Sequence, residues 1–286
     1  MTIKIPHTLS AGIGRTKEGA AWIATLAHHV RDASTRWGLA VAAPFIEEAS
    51  CSWVAPCQQS NGAPAVLKIS FPSPEALHEI DGLVFWNADP TVRLIAADKP
   101  SNAMLLEQCQ PGTSLRACPE PEQDDVIAGI LRALWRSPDP QSVFRPLSDM
   151  MALWAKEAET TLSLRPDQRL ALEGLQLYRE LSSSTDTTLL ATDLHAGNVL
   201  KARRAPWLMI DPKPYIGDPC YDATQHLLNC RGRLAENSQK MISDFANQLG
   251  VDVHRVRAWT FARLAVGGSG DDFEQTQQLA RAVSLS

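Results

Sequence analysis

Five residues in this chain have types and an order that could do chemistry together. Lys68 closes the apolar run Ala65-Val66-Leu67, and Glu79 follows eleven residues later. Asp193 and Asn198 frame an Asp-Leu-x-x-x-Asn stretch, within Thr192-Asp193-Leu194-His195-Ala196-Gly197-Asn198-Val199-Leu200. Asp211 ends the apolar run Trp207-Leu208-Met209-Ile210. A nucleoside triphosphate crowds negative charge, so a lysine must meet its α- and β-phosphates, and a flexible lysine needs an anionic partner such as a glutamate to hold it. Magnesium takes oxygen ligands in octahedral geometry, which suits an Asn amide oxygen and an Asp carboxylate. A carboxylate beside an acceptor hydroxyl orients it and takes its proton. Each piece alone is common in proteins. The ordered set points to phosphoryl transfer onto a hydroxyl.

These residues need elements that present them. In residues 64–70 Leu67 and Ile69 share one face of a strand, and Val66, Lys68 and Ser70 share the other. Ser60-Asn61-Gly62-Ala63 lies between this strand and an apolar run before it, a strong hairpin signal. Upstream, Trp22, Ile23, Leu26, Ala27 and Val30 form one helical stripe. Glu79 belongs to a helix expected to start at Pro74 and to bury Leu77, Ile80, Leu83 and Val84. Two further strands, residues 91–98 and 102–108, flank the turn residues Lys99-Pro100-Ser101. Beyond residue 121 the pattern is mostly helical, with helices expected over 124–135, 148–162 and 167–181. Short strands return at 188–192, 198–202 and 207–211, and helices run from Pro219 to the end. The expectation is an α+β fold with two lobes: a small antiparallel-sheet lobe over 1–107, a hinge over 108–112, and a larger helical lobe over 113–286.

Composition narrows the partners. The 286 residues are 44% hydrophobic and 21% charged, as in a globular chain with a sizeable core. A net charge of −5 argues against a nucleic-acid partner and favours a cationic small molecule. The six cysteines form no Cys-x-x-Cys pair, which argues against a zinc or redox site. No apolar leader is visible at the N-terminus, and no run approaches the length of about 18 residues that a membrane span requires. These features imply a cytoplasmic protein with reduced thiols, and a monomer is favoured.

The order strand-Lys, helix-Glu, loop-Asp, Asn, strand-end-Asp matches the protein-kinase series. Within it, residues 191–200 followed by Trp207-Leu208-Met209-Ile210-Asp211-Pro212-Lys213-Pro214-Tyr215-Ile216-Gly217-Asp218-Pro219-Cys220-Tyr221-Asp222 resemble the aminoglycoside phosphotransferase signature. The resemblance is closest to the streptomycin 6-phosphotransferases and the related aminoglycoside/hydroxyurea antibiotic-resistance kinases. Residues 18–26, 92–108 and 258–264 are also similar to that subgroup. It implies a protein-kinase-like fold, ATP and Mg2+, and a streptomycin-type antibiotic as phosphoryl acceptor. Carried onto this chain, it implies Asp193 as the catalytic carboxylate, Asn198 and Asp211 as magnesium ligands, and Lys68 with Glu79 as the phosphate-binding pair. Residues 106–109, including Glu107 and Cys109, become the hinge that meets adenine. Ser50, Cys51 and Ser52 take the place of the phosphate-covering loop, without its glycine.

The chain departs from the pattern at Ala191-Thr192, where the wider family has His-Gly, and near its C-terminus, which reads Gly267-Gly268-Ser269-Gly270-Asp271-Asp272-Phe273-Glu274. Asp271, Asp272 and Glu274 are candidates for pairing with substrate guanidinium groups, since carboxylates meet them in bidentate geometry. Asp218 is a further substrate candidate, although as a structural residue it would brace the catalytic loop while Asp222 caps the following helix or loop amides. His195 reads as a hydrogen-bonded loop histidine. Two rival functions are a kinase for hydroxyurea or another small hydroxyl compound, and a non-catalytic nucleotide or drug binder of the same fold. A hydrolase metal site at Asp193, His195, Asp211 and Asp218 leaves the Lys68–Glu79 pair without explanation.

Overall fold

The computed structural model describes residues 3–46, 51–268 and 272–284. The chain divides into two units, Met1–Gly112 with Lys201–Leu208, and Thr113–Leu200 with Met209–Ser286.

In the first unit a short helix α1 (His7–Ala11) precedes α2 (Lys17–Trp37). Thr16 caps α2 by accepting the Gly19 amide, and Gly38, at φ +61°, ends it in the left-handed conformation that glycine tolerates best. Strands β1 (Ala40–Val41), β2 (Ser52–Gln58), β3 (Pro64–Ser70), β4 (Leu94–Asp98) and β5 (Ala103–Glu107) form one antiparallel sheet in the order β1-β2-β3-β5-β4. Asn61 and Gly62 turn the β2–β3 hairpin as expected, with Asn61 Oδ1 accepting the Ala63 amide. Trp22, Leu26, Val30 and Ala33 of α2 pack with Trp53, Ala55, Leu67 and Ile69 in a single core cluster. Burial of Leu67 and Ile69 turns Lys68 and Ser70 to the opposite face of β3.

That opposite face meets α3 (Glu79–Trp86), which lies between β3 and β4 in sequence. This helix begins later than Pro74, and Leu77 and Val84 are exposed rather than buried. Its inner face is Glu79, Ile80, Leu83 and Trp86. The helix turns so that Glu79 reaches Lys68, and this rotation carries Val84 outward.

The second unit is mostly helical. It contains α4 (Glu120–Leu134), α5 (Leu147–Thr160), α6 (Gln168–Ser182), α7 (Pro219–Asn229), α8 (Arg231–Leu249), α9 (Val253–Val266) and α10 (Asp272–Val283). The helices expected over 124–135, 148–162 and 167–181 are α4, α5 and α6, each shifted by a few residues at its ends. Helices α6 and α9 approach closely at Gly174, where a Cβ would fall 2.7 Å from the Ala265 Cβ. Trp259, Tyr221 and Phe261 fill the interior.

Short strands carry the candidate chemistry. Strand β6 (Thr188–Leu190) pairs antiparallel with β9 (Tyr215–Gly217), with Leu190 opposite Tyr215. The same register, continued past the strand ends, sets Ala191 and Thr192 against Lys213: the Lys213 amide donates to Ala191 O at 3.0 Å and Thr192 Oγ1 to Lys213 O at 2.5 Å. Strands β7 (Val199–Lys201) and β8 (Trp207–Met209) form a two-stranded ribbon. Just beyond it the Ile210 amide donates to Asn198 O at 2.8 Å, which joins the end of the Asp193–Asn198 loop to the residue before Asp211.

Candidate active site

Lys68 and Glu79 form a buried ion pair in the first unit. Nζ lies 2.6 Å from Oε1, and the side chains are 6% and 2% exposed. Ser70 Oγ donates to Glu79 Oε2 at 3.4 Å, and Ser52 Oγ donates to Ser70 Oγ at 3.1 Å. Ser52 is therefore the first residue of β2 and belongs to a hydrogen-bonded row on the sheet. Ser50 lies outside the described residues. A cation fixed this way keeps its charge at a defined place, as phosphate binding requires.

Glu107 uses its side chain for the fold. Its carboxylate accepts the Arg204 Nε at 3.1 and 3.2 Å and the Arg93 amide at 3.1 Å. Burial works to raise its pKa, but these hydrogen bonds and the Arg204 charge hold it below the usual carboxylate value. Arg204 also donates to Ala88 O and Thr91 O. The Cys109 thiol is pushed up to about 11 by burial and then by Glu107, so it stays protonated and unreactive. Any contact of this segment with adenine would come from its main chain.

In the second unit both oxygens of Asp193 have donors. Gln225 Nε2 reaches Oδ1 at 2.7 Å, and Lys213 Nζ reaches Oδ2 at 2.7 Å. The carboxylate stays 19% exposed, so a ligand can approach it. Asn198 Nδ2 donates to Asp193 O at 2.9 Å, which leaves its amide oxygen as the group to offer a cation. His195 Nδ1 accepts the Gly197 amide at 3.0 Å, the loop hydrogen bond expected of it. Burial lowers the His195 pKa, opposed by the charge of Asp193, and Arg116, Lys213 and Asp211 also act on it. At Gly197 a Cβ would sit 2.8 Å from both the Arg116 guanidinium and the His195 ring, so a larger residue would have to displace them.

Asp218 caps a helix instead of bracing the catalytic loop, and Asp222 takes loop amides, one of the two roles expected of it. Asp218 caps α7 by accepting the Cys220 amide at 2.9 Å, and it also accepts Arg255 Nε at 2.5 Å and Trp259 Nε1 at 2.6 Å. It is 2% exposed. Asp222, one turn into α7, braces the loop before Asp193: it accepts the amides of Thr192 at 2.7 Å and Ala191 at 3.0 Å, and Trp135 Nε1 at 3.0 Å. Burial pushes its carboxyl up to about 6 against these donors and Arg263.

The Ala191-Thr192 departure has a structural counterpart. Thr192 has φ +50°, a left-handed conformation that glycine adopts freely and a β-branched residue adopts only under constraint. Two bonds hold it there, the amide to Asp222 and Oγ1 to Lys213 O.

Among the described residues no three His, Cys, Asp or Glu side chains converge to hold a metal by themselves. The Asn198 amide oxygen and the Asp211 carboxylate are the donor types that a hard cation takes, and the Ile210 amide bond to Asn198 O ties Asn198 to the residue before Asp211. Asp272 pairs with Arg231 at 2.9 Å, exposed Glu274 lies 3.5 Å from Gln278 on its own helix, and Asp271 is outside the described residues.

Sequence reasoning missed three residues: Gln225, Arg263 and Lys213. Arg263 donates to Gln225 Oε1 at 2.6 Å and to Thr224 Oγ1 at 2.7 Å, and its guanidinium stacks on Tyr221 with 4.9 Å to the ring centroid. Gln225 and Arg263 are far apart in the chain and carry no motif of their own, so only the α7–α9 packing reveals them. Lys213 did have a signal, being a lysine between two prolines directly after Asp211-Pro212.

The family described as aminoglycoside/hydroxyurea antibiotic resistance kinase matches residues 36–272. A streptomycin 6-kinase from Streptomyces glaucescens is 34% identical over 277 residues, covering 92% of this chain and 89% of that one. A hydroxyurea phosphotransferase from Kitasatospora aureofaciens is 32% identical over 252 residues, covering 86% and 73%. Among solved structures, choline kinase LicA from Streptococcus pneumoniae matches with a TM-score of 0.63 at 14% identity, covering 90% of this chain and 99% of that one. That likeness supports the protein-kinase-like α+β fold. On its sequence match, this chain belongs to the aminoglycoside/hydroxyurea antibiotic resistance kinase family, as a nucleotide-using phosphotransferase with an alcohol group as acceptor.

Proposed function

We propose that this protein transfers the γ-phosphoryl group of ATP to a hydroxyl of a streptomycin-type aminoglycoside, inactivating the drug. The observation that carries the reading is Asp193, a part-exposed carboxylate with each oxygen held by a donor, at the head of a loop that ends in Asn198 and is tied to the residue before Asp211. Asp193 orients the acceptor hydroxyl and takes its proton as the new P–O bond forms. Lys68, fixed by Glu79, holds the α- and β-phosphates. Asn198 and Asp211 would hold Mg2+, which when bound neutralises charge on the phosphate oxygens. The remaining rate enhancement comes from positioning two reactants in line.

A second acceptor class has specific support. Asp218 and Asp272 are engaged by Arg255 and Arg231, while Lys213, and Arg263 acting through Gln225, bring positive charge toward Asp193. Such surroundings suit a small uncharged hydroxyl compound such as hydroxyurea, the substrate named for one relative. Incubation with ATP, Mg2+ and streptomycin or hydroxyurea in parallel, read by mass spectrometry, tests both. A phosphate added to streptomycin supports the first reading. Addition to hydroxyurea alone replaces it with the second, and no addition to any compound of a broad hydroxyl panel contradicts both.

A further inference from the structure

We propose that Lys213 is a catalytic residue of this reaction, whose ammonium faces both the Asp193 carboxylate and the transferred phosphoryl group. The inference rests on the phosphotransferase reading above and adds a residue that the Lys-Glu-Asp-Asn-Asp series does not contain. Nζ of Lys213 lies 2.7 Å from Asp193 Oδ2, and the two side chains are 31% and 19% exposed. The acceptor hydroxyl that gives its proton to Asp193 would come beside this ammonium, and the phosphoryl group it attacks would follow.

The main chain fixes this position from both sides. The Lys213 amide donates to Ala191 O, and Lys213 O accepts Thr192 Oγ1, so the lysine is bolted to the two residues that precede Asp193. Pro212 and Pro214 flank it, and each restricts its own φ. Asp211, at φ +55°, begins this turn in the left-handed region. Thr192, at φ +50°, holds the other side. A charge mounted on so constrained a backbone is preorganised, which is what transition-state stabilisation requires.

Charge explains why a lysine belongs there. The ammonium would meet the charge spread over the three equatorial oxygens of the phosphoryl group in flight. In that step the acceptor oxygen forms its bond to Pγ as the bond from Pγ to the β,γ-bridging oxygen breaks. ADP leaves with that electron pair, and the hydroxyl proton passes to Asp193. Lysine is a compact point charge that can face several anionic oxygens at once. Lys213 then serves the γ-phosphoryl group, a role distinct from that of Lys68.

Equilibrium binding of Mg-ADP and of a non-hydrolysable Mg-ATP analogue to wild type, Lys213→Met and Lys68→Met separates these roles, with kcat measured alongside on the active acceptor. Lys213→Met is expected to weaken the analogue about tenfold while ADP changes less than about twofold, and to lower kcat by about 10²-fold. Lys68→Met weakens both nucleotides. Lys213→Arg keeps the charge and should recover part of the discrimination between analogue and ADP. Equal changes for ADP and analogue in Lys213→Met, in protein whose melting shows it folded, would overturn the proposal and leave Lys213 a positioning residue for Asp193. If Lys213→Met does not fold, Lys213→Gln, which also removes the charge, takes its place with the same two outcomes. If wild type phosphorylates no acceptor, the proposed function fails, and the binding comparison still decides Lys213.

Discussion

The Asp222 carboxylate accepts the Thr192 amide at 2.7 Å, so the loop that presents Asp193 is held from one turn inside α7. Asp222 is 1% exposed and its carboxyl is pushed up to about 6 by burial. The three donors around it call for the ionised form, so kcat should rise with pH through about 6 as the carboxylate regains both amides. Stability should move the other way. Between about pH 4 and 6 the native state keeps a proton that the unfolded chain has lost, so this group's contribution falls as pH rises through that window. Asp222→Asn should remove this component of the pH dependence and lower kcat by about 10²-fold through misplacement of Asp193. Denaturation curves and rates from pH 4 to 8 check both limbs, and parallel slopes for wild type and variant would contradict the assignment.

Gln225 should act on Asp193 without touching the phosphoryl group. Gln225→Ala removes the donor to Oδ1 and is expected to lower kcat by roughly tenfold, with KM for ATP little changed. Gln225→Glu sets a second carboxyl beside Asp193 and should cost more. Arg263→Lys should give a smaller loss, because it acts through Gln225. Steady-state kinetics on the three variants measures this order.

The Lys68–Glu79 pair predicts a separation of stability from activity. Glu79→Leu alone takes the paired carboxylate from a lysine whose side chain is 6% exposed, and should destabilise by about 3–5 kcal/mol. The double variant Lys68→Met with Glu79→Leu should recover most of that loss, since two apolar side chains can fill the space, yet remain inactive. Urea denaturation and a nucleotide assay on the same samples test the split.

Thr192 gives a prediction about strain. Thr192→Gly relieves a left-handed β-branched residue and loses one buried hydrogen bond, terms of about 1–3 and about 1 kcal/mol that largely cancel. Thr192→Val keeps the strain and loses the bond, so it should be the less stable of the two, and a lower melting temperature for the glycine variant would contradict this.

Much of the site was legible because it follows from short-range rules. Alternation in β3 set Leu67 and Ile69 on one face and Lys68 on the other, and Asn61-Gly62 fixed the hairpin that sets this register. The Asp193–Asn198 spacing predicted one loop, and the Asn198 bond to Asp193 O closes it. What sequence could not order was the choice between equivalent groups. Asp218 and Asp222 are both carboxylates at the start of α7, and only their contacts with Arg255, Trp259 and the Ala191-Thr192 amides tell cap from brace. Apolar periodicity placed the start of α3 too early, because the buried polar Glu79 orients the helix where a hydrophobic stripe was expected. The partners of two acidic residues read as substrate contacts were hidden for a similar reason: the arginines that engage Asp218 and Asp272 lie 37 and 41 residues away.

The central claim is that Asp193 serves as the base for phosphoryl transfer. Its most direct test is Mg-dependent ATP consumption by Asp193→Ala on the active acceptor, with nucleotide affinity measured on the same protein. The account predicts a rate reduced by about 10³-fold or more with nucleotide affinity nearly unchanged. A variant that turns over at the wild-type rate would contradict it.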